Sequence, residues 1–115
     1  MVGPTGQIPD DPLGFIQECI RSHRILWTYH VNMRLEGRFI ARDEILGAVE
    51  SFQIIEAYPE DKYLPSFLLL AKGEKSAFHV LIAVDLEGNN IRIVTAYCPG
   101  QEHWMPDLMT RRKVR

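Results

Sequence analysis

The spacing of apolar residues changes once along this chain, and that change constrains the fold more than any other feature. Between Leu13 and Phe52 the apolar positions mostly recur every three to four residues, the period of an α-helix. After Ser51 the period shortens towards two, the period of a β-strand. Helices therefore precede strands, and this order predicts an α+β fold with helices on one face of an antiparallel sheet.

The first half of the chain predicts two to three helices. The first is expected over residues 13–23, where apolar positions recur at helical spacing. Thr28 is expected to cap a second helix, its hydroxyl accepting a free N–H of the first turn, after a short apolar link at 25–27. Asp43 is expected to cap a third.

The second half predicts about four strands joined by short turns. The segment Glu87-Gly88-Asn89-Asn90 is a strong hairpin signal between the last two strands, because glycine and asparagine tolerate the backbone angles of tight turns. The strands are expected at 53–58, 66–72, 78–85 and 91–97.

Length and composition predict one globular domain. The chain has 115 residues, of which 46% are apolar and 24% charged. Residues 1–12 hold three of the seven prolines and predict a flexible N-terminal arm, which leaves 13–115 as the domain. No apolar run approaches the roughly 18 residues that span a bilayer, and two unpaired cysteines do not make a disulfide scaffold. A cytoplasmic protein with no membrane partner is therefore expected.

Charge is strongly segregated along the chain although its net value is only −2. Residues 21–42 carry five arginines against one glutamate, and four of the last five residues are basic. The intervening residues 43–110 are acidic. The two basic segments could converge and attract RNA phosphate, or they could be scattered surface charges that serve solubility.

The pattern His30-x-x-x-Arg34-x-x-x-Arg38 is the most informative local motif. Residues four apart lie on nearly the same side of a helix, so His30 and Arg34 are expected to be neighbours. An imidazole that moves a proton near neutrality, beside guanidinium groups that match phosphate oxygens, suits a phosphodiester. The alternative is a polar helix face with a capping or partly buried histidine.

Three further candidates lie on the predicted strands. His79 interrupts an apolar strand and is either a satisfied histidine at the core edge or a site residue. Thr95 and Tyr97 share one face of the last strand, but both residue types also form strands well. A shift of one residue in the hairpin register decides whether His79 and Tyr97 share a face.

The sequence predicts no metal and no cofactor. Its cysteines and histidines lack the paired spacing of zinc ligands, and no glycine-rich phosphate loop or G-x-S-x-G motif is present. Glu56, Glu60 and Asp61 precede a loop and predict a solvated face. Trp27 and Trp104 are expected in the core or at its edge.

The order and spacing of several motifs over residues 25–113 resemble a prokaryotic family known as domain of unknown function 4258. Val31 and Leu35 stand where the family has a small residue and a methionine, which affects packing more than chemistry. In chain order the motifs are Tyr29-His30-Val31-x-x-Arg34-Leu35-x-x-Arg38-x-Ile40, Ile54-Ile55-Glu56-x-Tyr58-Pro59, Pro65-Ser66, Phe78-His79-Val80, Ile93-Val94-Thr95-Ala96-Tyr97, and Trp104 with Asp107 and a basic residue after it.

This resemblance implies both a fold and a function. The family looks related to RelE-like and BrnT-like small ribonucleases, whose fold packs N-terminal helices on an antiparallel sheet. Its members are often found beside small antitoxin-like proteins, which implies a toxin–antitoxin pair. Carried over by match, the positions of interest are His30, Arg34, Arg38, His79, Thr95 and Tyr97.

The leading hypothesis is a toxin-type, metal-independent endoribonuclease whose partners are RNA and a small antitoxin protein. His30 would act as general base or acid, and His79 or Tyr97 would supply or relay the second proton. Arg34 and Arg38 would stabilise charge on the phosphoryl oxygens. The alternative is a non-catalytic module that binds a protein or a small ligand. A catalytic site requires these side chains to converge in one pocket, whereas a module would leave them dispersed or locked in structural hydrogen bonds.

Overall fold

The computed structural model describes residues 7–28, 31, 40–100 and 102–111, and it confirms an α+β fold. Within these residues one helix of ten residues and one of six accompany five strands. The elements are α1 (Pro12–Arg21), β1 (Ile25–Trp27), α2 (Arg42–Gly47), a 3-10 turn (Val49–Ser51), β2 (Gln53–Tyr58), β3 (Ser66–Lys72), β4 (Ala77–Asp85) and β5 (Asn90–Tyr97).

The five strands form one mixed sheet in the order β1-β5-β4-β3-β2. Strands β2 to β5 are antiparallel neighbours in chain order, as expected from the short turns between them. The predicted antiparallel sheet of about four strands corresponds to β2 to β5 and does not include β1. The apolar link at 25–27 is a fifth strand, parallel to β5, with Ile25 opposite Ile91 and Trp27 opposite Ile93. Three residues are too few to display a strand period, so pairing with β5 decides their conformation.

Helix α1 is capped and buried as its sequence predicts. The Asp11 carboxylate accepts a hydrogen bond from the N–H of Gly14 at 3.0 Å. Pro12 occupies the first helical position, where an N–H would have no partner within the helix, so its absence costs no hydrogen bond. Ile16, Cys19 and Ile20 are the buried residues of the helix. The predicted span of 13–23 therefore agrees with the structure to within two residues.

The other two predicted caps have different outcomes. The Thr28 hydroxyl accepts the N–H of Val31 at 3.1 Å, which is the bond expected of a cap; the rest of that predicted helix lies outside the described residues. Asp43 was wrongly expected to cap the next helix. That helix begins at Arg42, and the N–H of the preceding Ala41 donates to the Glu44 carboxylate at 3.2 Å. Asp43 lies inside the first turn, where its negative charge is still favourable.

The sheet has two different faces. One packs against α1, α2 and the 3-10 turn in a single apolar core. On β3 and β4 this core takes alternate residues, among them Leu69 and Ile82, both fully buried. Two bulges, each with one extra residue, keep this alternation in register. One lies between Ile54 and Glu56 on β2, and the other lies on β5 opposite Leu81 and Ile82. The second face mixes polar side chains, among them Ser66 and Lys72, with apolar ones such as Leu68 and Leu70.

Candidate functional site

The strand register brings three of the predicted site residues to the second face of the sheet. His79 on β4 lies directly opposite Tyr97 on β5, and Leu81 lies opposite Thr95. Leu70 is the neighbour of His79 on β3. Residues paired in this way project from the same side of an antiparallel sheet. The register question left open by the sequence is thereby decided: His79, Thr95 and Tyr97 share a face.

His79 is a buried histidine with both ring nitrogens engaged. Its side chain is 0% exposed, and its Nε2 lies 2.6 Å from the carbonyl oxygen of Leu108. A carbonyl only accepts, so Nε2–H donates and Nδ1 is left to accept from the Tyr97 hydroxyl, at 3.4 Å. The Trp104 ring meets the imidazole edge-on, with centroids 4.4 Å apart. In these contacts His79 behaves as a satisfied core histidine.

The electrostatic surroundings of His79 keep it neutral. Burial lowers its pKa below the ordinary value, while the Leu108 carbonyl and the Glu56 carboxylate oppose this effect. Arg111 acts in the same direction as burial. A neutral imidazole at pH 7 that lacks solvent contact is not placed to exchange protons directly with a substrate.

An ion pair that the sequence analysis missed lies next to His79. Nε and Nη2 of Arg111 donate to the two carboxylate oxygens of Glu56 at 2.5 and 3.0 Å, and the Tyr58 hydroxyl donates to the same carboxylate. The guanidinium also lies 4.6 Å from the centre of the Trp104 ring. This bidentate bond is the main cause that lowers the pKa of Glu56 and raises that of Arg111.

Glu56 therefore corrects one prediction. It was expected on a solvated face with Glu60 and Asp61, yet its side chain is 24% exposed and paired. Glu60 and Asp61 are exposed, as expected. The signal that could have singled out Glu56 and Arg111 is the alternation of an acidic middle and a basic end along the chain. Charge blocks alone do not say which residues meet.

An open cleft of about 670 Å³ lies on this second face, beside the ion pair. Its volume falls in the range of small-molecule sites. Tyr97 is half-buried in it, and the exposed carboxylate of Asp61 is held by the Ser66 hydroxyl at 2.6 Å. The lining residues are Ala57, Tyr58, Pro59, Glu60, Asp61, Leu68, Leu81, Tyr97 and Arg111.

The predicted basic triad cannot be placed relative to this cleft, because His30, Arg34 and Arg38 lie outside the described residues. Val31, which follows His30 in the chain, is buried in the core on the helix side of the sheet. His79, Thr95 and Tyr97 occupy the opposite face. Of the six predicted site residues, the structure thus brings together the three on strands.

The described part of the chain offers neither a metal centre nor a membrane span. No three His, Cys, Asp or Glu side chains among these residues are grouped to hold a metal ion. None of the helices in the described ranges has the length and apolar content that crossing a membrane requires.

A family model described as Domain of unknown function (DUF4258) matches residues 27–98. The chain belongs to this family. The DUF4258 match includes the strands that carry His79, Thr95 and Tyr97 and ends before Trp104 and Arg111. The C-terminal segment that covers His79 therefore lies beyond the matched part. Neither the curated proteins nor the solved structures that were compared contain a match to this chain.

Proposed function

We propose that this DUF4258 protein is a toxin-type, metal-independent endoribonuclease of a toxin–antitoxin pair, and that single-stranded RNA enters the cleft on the second face of the sheet. The observation that best supports this is the meeting of Tyr58, Tyr97 and Arg111 around one cleft. Phenol rings stack on unpaired bases, and a guanidinium pairs with phosphate oxygens. The motifs resemble DUF4258, a family that looks related to RelE-like and BrnT-like ribonucleases, and this relation supports the same function.

The proposed reaction needs one proton removed and one supplied. The RNA 2′-hydroxyl attacks the adjacent phosphorus, the bond from phosphorus to the 5′ oxygen breaks, and a cyclic phosphate and a 5′-hydroxyl form. His30 is the proposed base for the 2′-hydroxyl. Tyr97 is the proposed acid for the leaving oxygen, because at 3.4 Å its bond to His79 is weak enough to be exchanged for one to substrate.

The remaining residues would bind and position. Arg111 would stabilise the phosphoryl oxygens together with Arg34 and Arg38. Although Arg111 is paired with Glu56, its side chain is 55% exposed, so a phosphate can approach it from solvent. His79 is too deeply buried to touch RNA and would act through Tyr97 as a positioning residue.

A non-catalytic binding module is the second candidate, and two observations favour it. Both ring nitrogens of His79 are occupied by structural hydrogen bonds. The exposed carboxylates of Glu60 and Asp61 border the cleft, and they repel phosphate. Such a module would bind a protein or a small ligand in the cleft without cleaving RNA.

The first test is incubation of the purified protein with labelled single-stranded RNA in EDTA. In a separate reaction without EDTA, the protein is incubated with mRNA on translating ribosomes. We expect products that end in a cyclic phosphate. Removing a positioned acid or base typically lowers the rate about 10²- to 10⁴-fold, so Tyr97→Phe and His30→Ala should each cleave that much more slowly. Tyr63→Phe is the matched control, because Tyr63 is 75% exposed and does not line the cleft.

Each outcome separates the two functions. Folded wild-type protein that cleaves neither free nor ribosome-bound RNA refutes the ribonuclease. Binding of RNA without cleavage, or of a protein partner alone, supports the module. Cleavage at the wild-type rate by Tyr97→Phe would show that the reaction does not use the proposed acid.

A further inference from the structure

The C-terminal segment 102–111 holds its own shape without belonging to a helix or a strand. The N–H of Met105 donates to the carbonyl oxygen of Thr110 at 2.8 Å, and Trp104 and Arg111 form an isolated bridge across the same turn. The segment therefore closes on itself through its own backbone and can move as a unit.

In the described part of the chain, this segment is attached to the sheet at two places, His79 and the neighbouring pair Glu56 and Tyr58. The Leu108 carbonyl accepts from His79, the Trp104 ring lies edge-on against the imidazole, and Arg111 pairs with Glu56. Trp104 is 4% exposed. Two attachment points, one of them a partly exposed ion pair, hold a segment less firmly than a strand ladder does.

The backbone at the attachment point is in an unfavourable conformation. Leu108 has a φ of 61°, in the left-handed region that residues with a Cβ rarely adopt. Its carbonyl is the one that His79 bonds, so the attachment to the sheet and the strained residue coincide. Pro99 and Gly100 precede the segment, and the Gly100 carbonyl accepts the N–H groups of His103 and Trp104 at 3.3 and 3.2 Å, so a hinge lies at or before Gly100.

We propose that residues 102–111 form a strap that opens and closes as one unit while the sheet stays folded, and that the closed strap completes the cleft. In the closed state Arg111 forms one wall of the cleft and Trp104 covers His79. Opening withdraws Arg111 and exposes His79. The expectation that opening abolishes RNA cleavage rests on the proposed function. The opening itself does not depend on that function.

Acid should favour the open strap. In the closed state His79 is neutral, and burial is the largest effect on its pKa, which it lowers. Among the described residues, the charged groups that face it are Glu56, which favours protonation, and Arg111, which opposes it; the Tyr97 hydroxyl also faces it. A proton therefore binds more readily to an exposed His79, so the open state gains population as pH falls.

Trp104 reports the opening directly. In a Trp27→Phe background it is the only tryptophan, so its emission and its quenching by acrylamide measure strap exposure. As pH falls from about 8 to about 5, we expect the emission maximum to move to longer wavelength and the quenching by acrylamide to increase. Both changes should come before circular dichroism shows any loss of the sheet. Arg111→Gln should raise the open fraction roughly three- to tenfold. Arg21→Gln is the matched control, since it removes the exposed Arg21–Glu50 ion pair at the end of α1.

Hydrogen exchange on the unsubstituted protein provides an independent readout. The Nε2–H of His79, which donates to Leu108 across the boundary between sheet and strap, should exchange with solvent through an opening that leaves the amides of β4 protected. If Trp104 and this N–H become accessible only together with loss of the sheet, the segment belongs to the cooperative core and the proposal is wrong. An equal effect of Arg21→Gln would also overturn it. No RNA is present in these measurements, so their failure is distinct from failure of the ribonuclease assay.

Discussion

At the scale of single residues, burial decides what each polar side chain of the second face can do. His79 and Tyr97 are partners across two strands, yet His79 is 0% exposed and Tyr97 lines the cleft. The imidazole donates to Leu108 and is held neutral, so its role is structural. The Tyr97 phenol beside it lines the open cleft and is half-buried.

The pH dependence of stability should reveal His79. Because its folded-state pKa lies below the ordinary 6.5, the unfolded chain binds a proton first as pH falls. The free energy of unfolding should therefore decrease between about pH 7 and about pH 5, above the range in which carboxylates such as Glu56 titrate. Urea unfolding of His79→Leu should show less of this decrease, and at pH 7 a loss of about 1–3 kcal/mol from the unpaired Leu108 carbonyl.

His103→Leu is the control for that experiment, because His103 is exposed. It should keep the wild-type dependence on pH. An unchanged pH profile in His79→Leu would contradict the assignment of a depressed pKa to the buried imidazole.

At the scale of elements, local bonds define the ends of helices, whereas distant strands define the sheet. Asp11 and Thr28 each cap a turn through a residue three positions further on. By contrast, β1 exists because β5 lies beside it, with Arg24 and Ile91 joined by a backbone bond of 3.1 Å. Loss of a cap should therefore weaken one helix, and loss of β5 would remove β1.

The cap of α1 is testable with two neighbouring aspartates. Asp11→Ala removes the acceptor of the Gly14 N–H and should lower the free energy of unfolding by about 1 kcal/mol. Asp10→Ala is the matched control: it removes the same charge one residue earlier, outside the helix, and should change stability by less than about 0.5 kcal/mol. Equal losses in urea unfolding would mean that charge, rather than the hydrogen bond, stabilises the helix end.

At the scale of the whole molecule, one sheet separates a structural face from a candidate functional face. Helices and the apolar core cover the first. The second carries the ion pair of Glu56 and Arg111, the segment 102–111 and the open cleft. Side chains that alternate along one strand therefore serve different purposes, and substitutions at adjacent positions should have different effects.

Leu81 and Ile82 on β4 test this separation. Ile82 is fully buried on the helix side, so Ile82→Ala should cost about 2–5 kcal/mol of stability and leave ligand affinity of the folded protein unchanged. Leu81 is half-buried and lines the cleft, so Leu81→Ala should cost roughly half as much and weaken binding in the cleft. Urea unfolding and an RNA-binding titration measure the two effects. If Leu81→Ala and Ile82→Ala changed RNA affinity equally, the RNA would bind outside the cleft.

Local spacing was sufficient for much of the fold. The predicted strands at 53–58 and 66–72 coincide with β2 and β3, and the last two differ from β4 and β5 by one residue at their starts. The predicted first helix and the hydroxyl bond of Thr28 also agree with the structure. These features depend on residues within one turn or one strand, where periodicity and capping chemistry act directly.

The sequence by itself thus determined the type and order of most elements, together with the family to which the chain belongs. Only the tertiary structure decided that β1 joins the sheet, that His79 faces Tyr97, and that Arg111 reaches Glu56 across 55 positions of the chain. A period shows which residues share a face, but it does not show which strand lies alongside. Bulges shift the register by one residue, and charges far apart in sequence pair only after the chain has folded.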